Sequence, residues 1–254
     1  MPAISGVIIT YNEEKNIARC IDTLSQVVDE IVVVDSFSKD GTKQICLEKG
    51  VRLIEHPFIG HIAQKQFATQ QATHDIVLSL DADEYLSEEL TESILKIKPN
   101  LNGKAYRINR MSKYGDKWIR HGSWYPDRKI RLWDRRFGKW GGYNPHDEVI
   151  LDSHIRVVRL TGDILHRSYR GTADVISKIQ SYSQIFSTAR VRKESSSVIK
   201  ILAHSGFAFV KSYFFKLGFL DGYEGLMVAS IVASHAFYKY SKLYELNRRN
   251  KIPG

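Results

Sequence analysis

The 254-residue sequence predicts an α/β fold: a sheet with helices on both faces, followed by a C-terminal helical region. Three observations predict it. Over roughly the first hundred residues, short β-branched runs alternate with stretches of helical period, the pattern of right-handed βαβ units. Those runs are apolar without a break, as strands covered on both sides must be. From Thr172 to about Leu246 the apolar spacing is helical throughout.

The strands are expected at Ile4–Thr10, Glu30–Asp35, Val51–His56 and Asp75–Leu80, with helices at Glu14–Leu24, Thr42–Lys49, Ala63–Ala72 and Ser87–Ile97. Either Asp83 or Ser87 could cap the last of these, and Glu84 is read as an acid favouring its positive end. From Ala105 the character changes. Between Arg107 and Trp140 stand eleven Lys/Arg, three Asp and all four tryptophans, Trp118, Trp124, Trp133 and Trp140, with short strands such as Lys129–Trp133. The C-terminal helices are expected to break near Ser195–Ser197 and Gly218–Gly225.

The formal charge of +9 suggests an anionic partner: nucleic acid, a membrane surface or a phosphorylated substrate. The two cysteines, Cys20 and Cys46, fall in predicted helices, which argues for a reducing compartment without a disulfide framework or zinc cluster. The N-terminus enters an apolar run without a basic leader and reads as a first strand, not a signal peptide. No run of 18 uncharged apolar residues occurs, so no transmembrane helix is expected; Val198–Leu220 comes nearest but contains Lys200, His204, Lys211 and Lys216.

In a parallel sheet, ligands bind beyond the carboxyl ends of the strands. Three such ends carry polar clusters: Tyr11-Asn12-Glu13-Glu14, the stretch from Asp35 to Thr42, and Asp81-Ala82-Asp83-Glu84. All three are predicted on one rim. Asp81 and Asp83 stand two apart at a strand end, where both carboxylates can face one hard cation that keeps open positions for a diphosphate. A cap for the next helix is the competing reading of Asp83. Without a ligand the two acids are expected to repel each other until a metal-diphosphate arrives. Asp35 ends its strand, placed to accept from a nucleobase N–H or a ribose hydroxyl; Asp40 to Thr42 have turn-and-cap chemistry. The absence of both G-x-G-x-x-G and G-x-x-x-x-G-K disfavours a dinucleotide site or a P-loop.

These motifs, "VIITYNEEKNIARCIDTL", "IVVVDSFSKDGT" and "LSLDADEYLSEEL", resemble the nucleotide-binding half of family-2 glycosyltransferases, which have the GT-A fold. The later segments "YNPHDEVI", "GDILHRSY" and "FKLGFLDGYEGLMVA" are similar to bacterial lipopolysaccharide core heptose β-1,4-glucosyltransferases. The resemblance implies a GT-A domain over residues 1–170, with a nucleotide-sugar half (1–100) and an acceptor half (101–170), and a C-terminal region at 171–254. It implies that Thr10, Tyr11, Glu13 and Asp35 hold the donor nucleoside, and that Asp81 contacts ribose or metal. Asp83 would be the main ligand of Mn²⁺ or Mg²⁺, with His166 completing the shell. His146 would lie against substrate, and the base would be Asp147 by alignment, with Glu148 the alternative, because the branch has Glu directly after His and this chain has Asp.

The implied activity is inverting transfer of a hexose, glucose from UDP-glucose, to the lipid-linked inner core at the cytoplasmic membrane face. The rival is a catalytically inactive nucleotide-sugar or polyanion-binding protein. Nucleic-acid binding is disfavoured as the primary role by the acidic rim. Cations of the tryptophan-rich stretch would bind acceptor phosphates and the tryptophans would stack on sugars, with at least two of the four belonging to the core. In the C-terminal helices, Phe207, Phe209, Phe214, Phe215, Phe219, Tyr238 and Tyr240 are interleaved with lysines. That suits either peripheral contact with an anionic membrane or packing on the sheet domain or another subunit in a homo-oligomer.

Overall fold

The computed structural model describes residues 2–101, 103–143, 146–169 and 171–250. Strands β1 (Ile4–Thr10), β2 (Glu30–Asp35), β3 (Arg52–Glu55) and β4 (Ile76–Asp81) form the parallel half of a mixed sheet. Helices α1 (Ile17–Leu24), α2 (Thr42–Glu48) and α3 (His61–Gln70) connect them. Next come β5 (Glu84–Leu86), α4 (Glu88–Ile97), β6 (Lys104–Tyr114), the two-residue β7 (Lys117–Trp118) and β8 (Asp127–Asp134). A hairpin of β9 (Gly138–Tyr143) and β10 (His146–Leu151) stands as a separate two-stranded sheet, followed by β11 (Arg156–Tyr169). The main sheet runs β3-β2-β1-β4-β8-β6-β11-β5, with β7 paired to β6. The predicted strands and helices of the first hundred residues all form, with ends shifted by at most three residues.

Strand alternation feeds two cores. Ile4, Ile8, Val33, Leu78 and Leu80 pack with Ile17, Ile21 and Leu24 of α1 and Leu90 and Ile94 of α4. Val7, Val32, Val34 and Val77 pack on the other side with Ala68 of α3, Trp133 and Trp140. Each fully buried aliphatic side chain contributes about 1.5–3 kcal/mol. The spacing Ile17, Cys20, Ile21, Leu24 gives α1 a single buried stripe. It lies so close to β1 that a Cβ on Gly6 would stand 2.6 Å from Leu24 Cδ2.

Ser87 does cap α4, its hydroxyl accepting from Leu90 N at 3.2 Å, with Glu88 and Glu89 in the first turn. Glu84 does not serve that helix; it is fully buried elsewhere, as described below. Cys20 and Cys46 are free and buried, and burial pushes both thiols up, Cys46 to about 11. Two of the four tryptophans, Trp133 and Trp140, are core residues.

Residues 1–110 and 127–166 form one compact unit; residues 111–126 and 167–254 form a second. In the second, α5 (Thr172–Arg190), α6 (Val198–Val210) and α7 (Gly222–Arg249) pack together, with Lys211–Phe215 continuing α6 as a π-helical turn. The break expected over Gly218–Gly225 is shorter, because α7 begins at Gly222. Asp221 organises this corner. Its carboxylate accepts from the backbone N–H groups of Arg120 (3.0 Å) and His121 (2.8 Å), while its carbonyl accepts from Lys117 Nζ at 2.6 Å. Gly225 meets Gly218 so closely that a Cβ there would lie 1.8 Å from the Gly218 carbonyl oxygen. Residues 198–215 are helical and, by length and composition only, long and apolar enough to cross a membrane, with a mean hydropathy of 1.2 and with Lys200 and Lys211 among them.

Candidate active site

Parallel register places the three polar clusters on one rim: Thr10 is opposite Asp35, and Ile9 is opposite Asp81. The first two clusters are stitched into one surface. Asn12 N donates to Ser38 Oγ and Glu13 N to Thr42 Oγ1, both at 2.8 Å, while Lys39 N donates to Asn12 Oδ1 at 2.8 Å. Asp35 is fully buried and accepts from both the backbone N–H and the hydroxyl of Ser38, so its carboxylate anchors the loop. Glu13 accepts from Asn16 Nδ2 at 2.7 Å, and its carbonyl receives Ile17 N at the start of α1. Tyr11 is exposed. The Thr10 hydroxyl is buried with no hydrogen-bond partner among the described residues.

The third cluster has a neutraliser already, and it is the protein's own. Lys65 of α3, 3% exposed at its side chain, places Nζ 3.0 Å from Asp81 and 2.8 Å from Asp147. Arg131 of β8, 2% exposed, places Nη2 3.6 Å from Asp81 and 3.0 Å from Glu84. The expectation that Asp81 meets only repulsion before a metal arrives is therefore corrected: two cations from the middle of the chain hold it. The placement of Glu84 at a helix start is corrected too. Its carboxylate pairs with Arg131 and with Arg110 Nη1 (3.3 Å) and accepts from Asp81 N at 3.0 Å. Burial alone would raise the Asp81 and Asp147 pKa values. The nearby Lys65 and Arg131 outweigh it and hold both carboxyls below the usual range.

Antiparallel pairing of β11 with β5 sets His166 opposite Glu84 and brings His166 Nε2 to 3.1 Å from Asp83 Oδ2. An acid and an imidazole at that separation could both ligate one divalent cation. Among the described residues no group of three or more His, Cys, Asp and Glu offers a complete protein cage. Asp147 lies on β10, its backbone opposite Gly142 in the hairpin; Glu148, next in the strand, is exposed. The His146 backbone pairs with Tyr143, and its side chain lies outside the described residues.

Lys65, Arg131 and Glu84 are the site residues that sequence reasoning missed. The signal was present for two of them. Lys65 sits on the α3 stripe with Ala68, and Arg131 alternates with Trp133 on the inward side of β8, so each is a cation at a core position. A fully buried Lys or Arg is rare unless paired, and the surplus acids at the rim were the partners to expect.

Comparison with known proteins shows the family of the chain. The sequence pattern of glycosyl transferase family 2 matches residues 5–158, more than half of the chain. The chain belongs to glycosyl transferase family 2. Its mixed sheet with helices on both faces is accordingly a GT-A domain. This glycosyltransferase is similar along almost its full length to an uncharacterized glycosyltransferase of Rickettsia typhi, 31% identical over 99% of this chain and 90% of that protein. It is also similar to the lipopolysaccharide core biosynthesis glycosyltransferase LpsC of Rhizobium meliloti, 27% identical over 95% of this chain and 92% of LpsC. Among solved structures, glucosyl-3-phosphoglycerate synthase of Mycobacterium tuberculosis, bound to Mn²⁺ and UDP-glucose, aligns at 23% identity and a TM-score of 0.37. That match covers 44% of each chain.

Proposed function

We propose that this glycosyltransferase is a metal-dependent, inverting hexosyltransferase of the lipopolysaccharide core, acting from a UDP-sugar, with glucose as the hexose. One observation carries the catalytic part: Asp147, from the acceptor half, meets Asp81, from the donor rim, across the single cation of Lys65. A carboxylate placed to take a proton thus stands beside the edge where the donor's ribose and diphosphate would lie. The near full-length similarity to LpsC supports the acceptor class.

In this reading the unpartnered Thr10 hydroxyl, exposed Tyr11 and the stitched loops at Glu13 and Asp35 receive the nucleoside. Asp83 and His166 would hold a divalent cation, with Asp81 contacting it or the ribose. When bound, that cation supplies positive charge against the departing diphosphate. Asp147 accepts the proton of the acceptor hydroxyl, the hydroxyl oxygen forms a bond to C1, and the C1–O bond to diphosphate breaks with its electron pair leaving on UDP. A single in-line displacement of this kind inverts C1.

Purified protein with Mn²⁺ or Mg²⁺ is expected to release UDP from UDP-glucose, faster with a heptose-bearing core acceptor. Asp83→Ala or excess EDTA is expected to abolish release. A folded, metal-supplied protein that turns over no UDP-sugar with that acceptor would overturn the reading.

The acceptor is a membrane lipid, and the second unit offers a surface suited to it. Phe207, Phe214, Phe215, Leu220 and Tyr223 are exposed large apolar residues, with Lys211 and Lys216 among them. Apolar side chains interleaved with lysines favour the interface of an anionic bilayer. The protein is expected to float with vesicles containing phosphatidylglycerol and to be released when Phe214 and Phe215 are both changed to Ser. Equal flotation of that variant and the wild type would exclude this surface.

A further inference from the structure

The mechanism above leaves unused a cavity of about 230 Å³ beside Asp147, lined by residues of β6, β8, β9 and β10. Its walls include Arg107, Arg128, Lys129 and Arg131, against Asp147 and Glu148. Asp147 already faces Lys65 at 2.8 Å, and Lys129 stands 3.7 Å from Asp127. Arg107 and Arg128 are exposed, and their guanidinium groups have no hydrogen-bond or ion-pair partner among the described residues.

The deeper wall carries the stronger indication. Arg131 uses Nη2 on Glu84, yet its Nε and Nη1 are buried without an acceptor. The indole Nε1 of Trp140, a residue 5% exposed, is likewise buried and unpartnered. Buried N–H donors without acceptors are uncommon, since each is stripped of water without a replacement hydrogen bond, a loss that is larger for charged groups. Two such residues lining one cavity, with two free arginines among its other lining residues, present donors and positive charge and no buried acceptor needing a donor. That complements an oxyanion and not a neutral sugar hydroxyl.

We infer that this cavity binds an oxyanion of the acceptor, a phosphate monoester or a carboxylate, carried close to the hydroxyl that Asp147 deprotonates. The inference rests on the proposed function for the word acceptor, while the oxyanion site itself stands on the cavity alone. Arg107 and Arg128 draw the anion in from the rim, and the buried Arg131 and Trp140 supply charge and unmet N–H donors behind the floor. The site selects an anionic saccharide over its neutral analogue and fixes the register of the acceptor against the base.

The test uses inorganic phosphate as the probe, with saturating UDP and Mn²⁺ present to block any donor site, and reads tryptophan fluorescence and thermal shift. Saturable binding is expected in the wild type. It should weaken about tenfold or more in the exposed pair Arg107→Gln/Arg128→Gln, the loss fitting two charge-assisted contacts, with the ligand-free Tm unchanged. Trp140→Phe keeps the ring and removes the N–H, and is expected to weaken phosphate as well. Titrating acetate in parallel assigns the source: tighter acetate points to a carboxylate, tighter phosphate to a phosphate ester. If neither anion binds, or if the arginine pair binds both as tightly as the wild type, the inference is overturned. UDP release, measured on the same samples, reports separately on the proposed function, so the two failures are distinguishable.

Discussion

Asp147→Asn is expected to lower transfer about 10²–10⁴-fold, the range for loss of a positioned general base, with UDP binding retained. Glu148→Gln is expected to change it far less. The two residues are neighbours on β10, so they project to opposite faces, and it is Asp147, 18% exposed, that meets Lys65 beside the donor rim. A dead Glu148→Gln alongside an active Asp147→Asn would shift the assignment by one position. The pH profile adds an independent check. Burial raises the Asp147 pKa but Lys65 and Arg131 lower it further, so this carboxylate is ionised throughout the neutral range. In Lys65→Met the lowering contribution is lost, and the acid limb of kcat/KM is expected to move to higher pH. The sign for stability follows the same shift. A carboxyl depressed in the folded state contributes above its unfolded value of about 3.9 and loses that contribution as pH falls through the folded value.

Glu84→Ala is expected to cost about 3–5 kcal/mol in urea unfolding, the range for removing one partner of a buried ion pair. Glu84 is 0% exposed and is the carboxylate nearest to Arg131, which is itself buried; Arg110 shares it at 3.3 Å. Its loss leaves Arg131 with Asp81, 3.6 Å away, as its one remaining ion pair among the described residues, and frees the Asp81 backbone N–H that Glu84 accepts. Transfer activity should therefore fall even under conditions where the variant remains folded. A loss below about 1 kcal/mol would mean that water replaces the carboxylate.

What was legible in the sequence was whatever depends on local chain chemistry. The strand at Glu30–Asp35 is a run of β-branched residues between polar ends, and the stripe Ile17, Cys20, Ile21, Leu24 repeats at helical spacing, so both elements could be read directly. The shared rim followed from topology, because strands joined by right-handed crossovers end on the same side. The resemblance implies Asp83 and His166 as a pair, and the pairing of β11 with β5 brings them to 3.1 Å. Glu84 reads locally as a helix-start acid because its neighbours in sequence are a helix start, while its partners lie 26 and 47 residues away on β6 and β8.

The sequence by itself determined the alternation of strands and helices, the acidic rim and the family of this protein, since each is written in spacing and short motifs. Only the tertiary structure decided how the rim acids are neutralised: Lys65 joins Asp81 to Asp147, and Arg131 joins Asp81 to Glu84. The physical reason is that charge pairing acts through space over a few ångströms. Which cation reaches which carboxylate is fixed by helix docking and strand register, over separations of 16 to 82 residues that no local pattern spans.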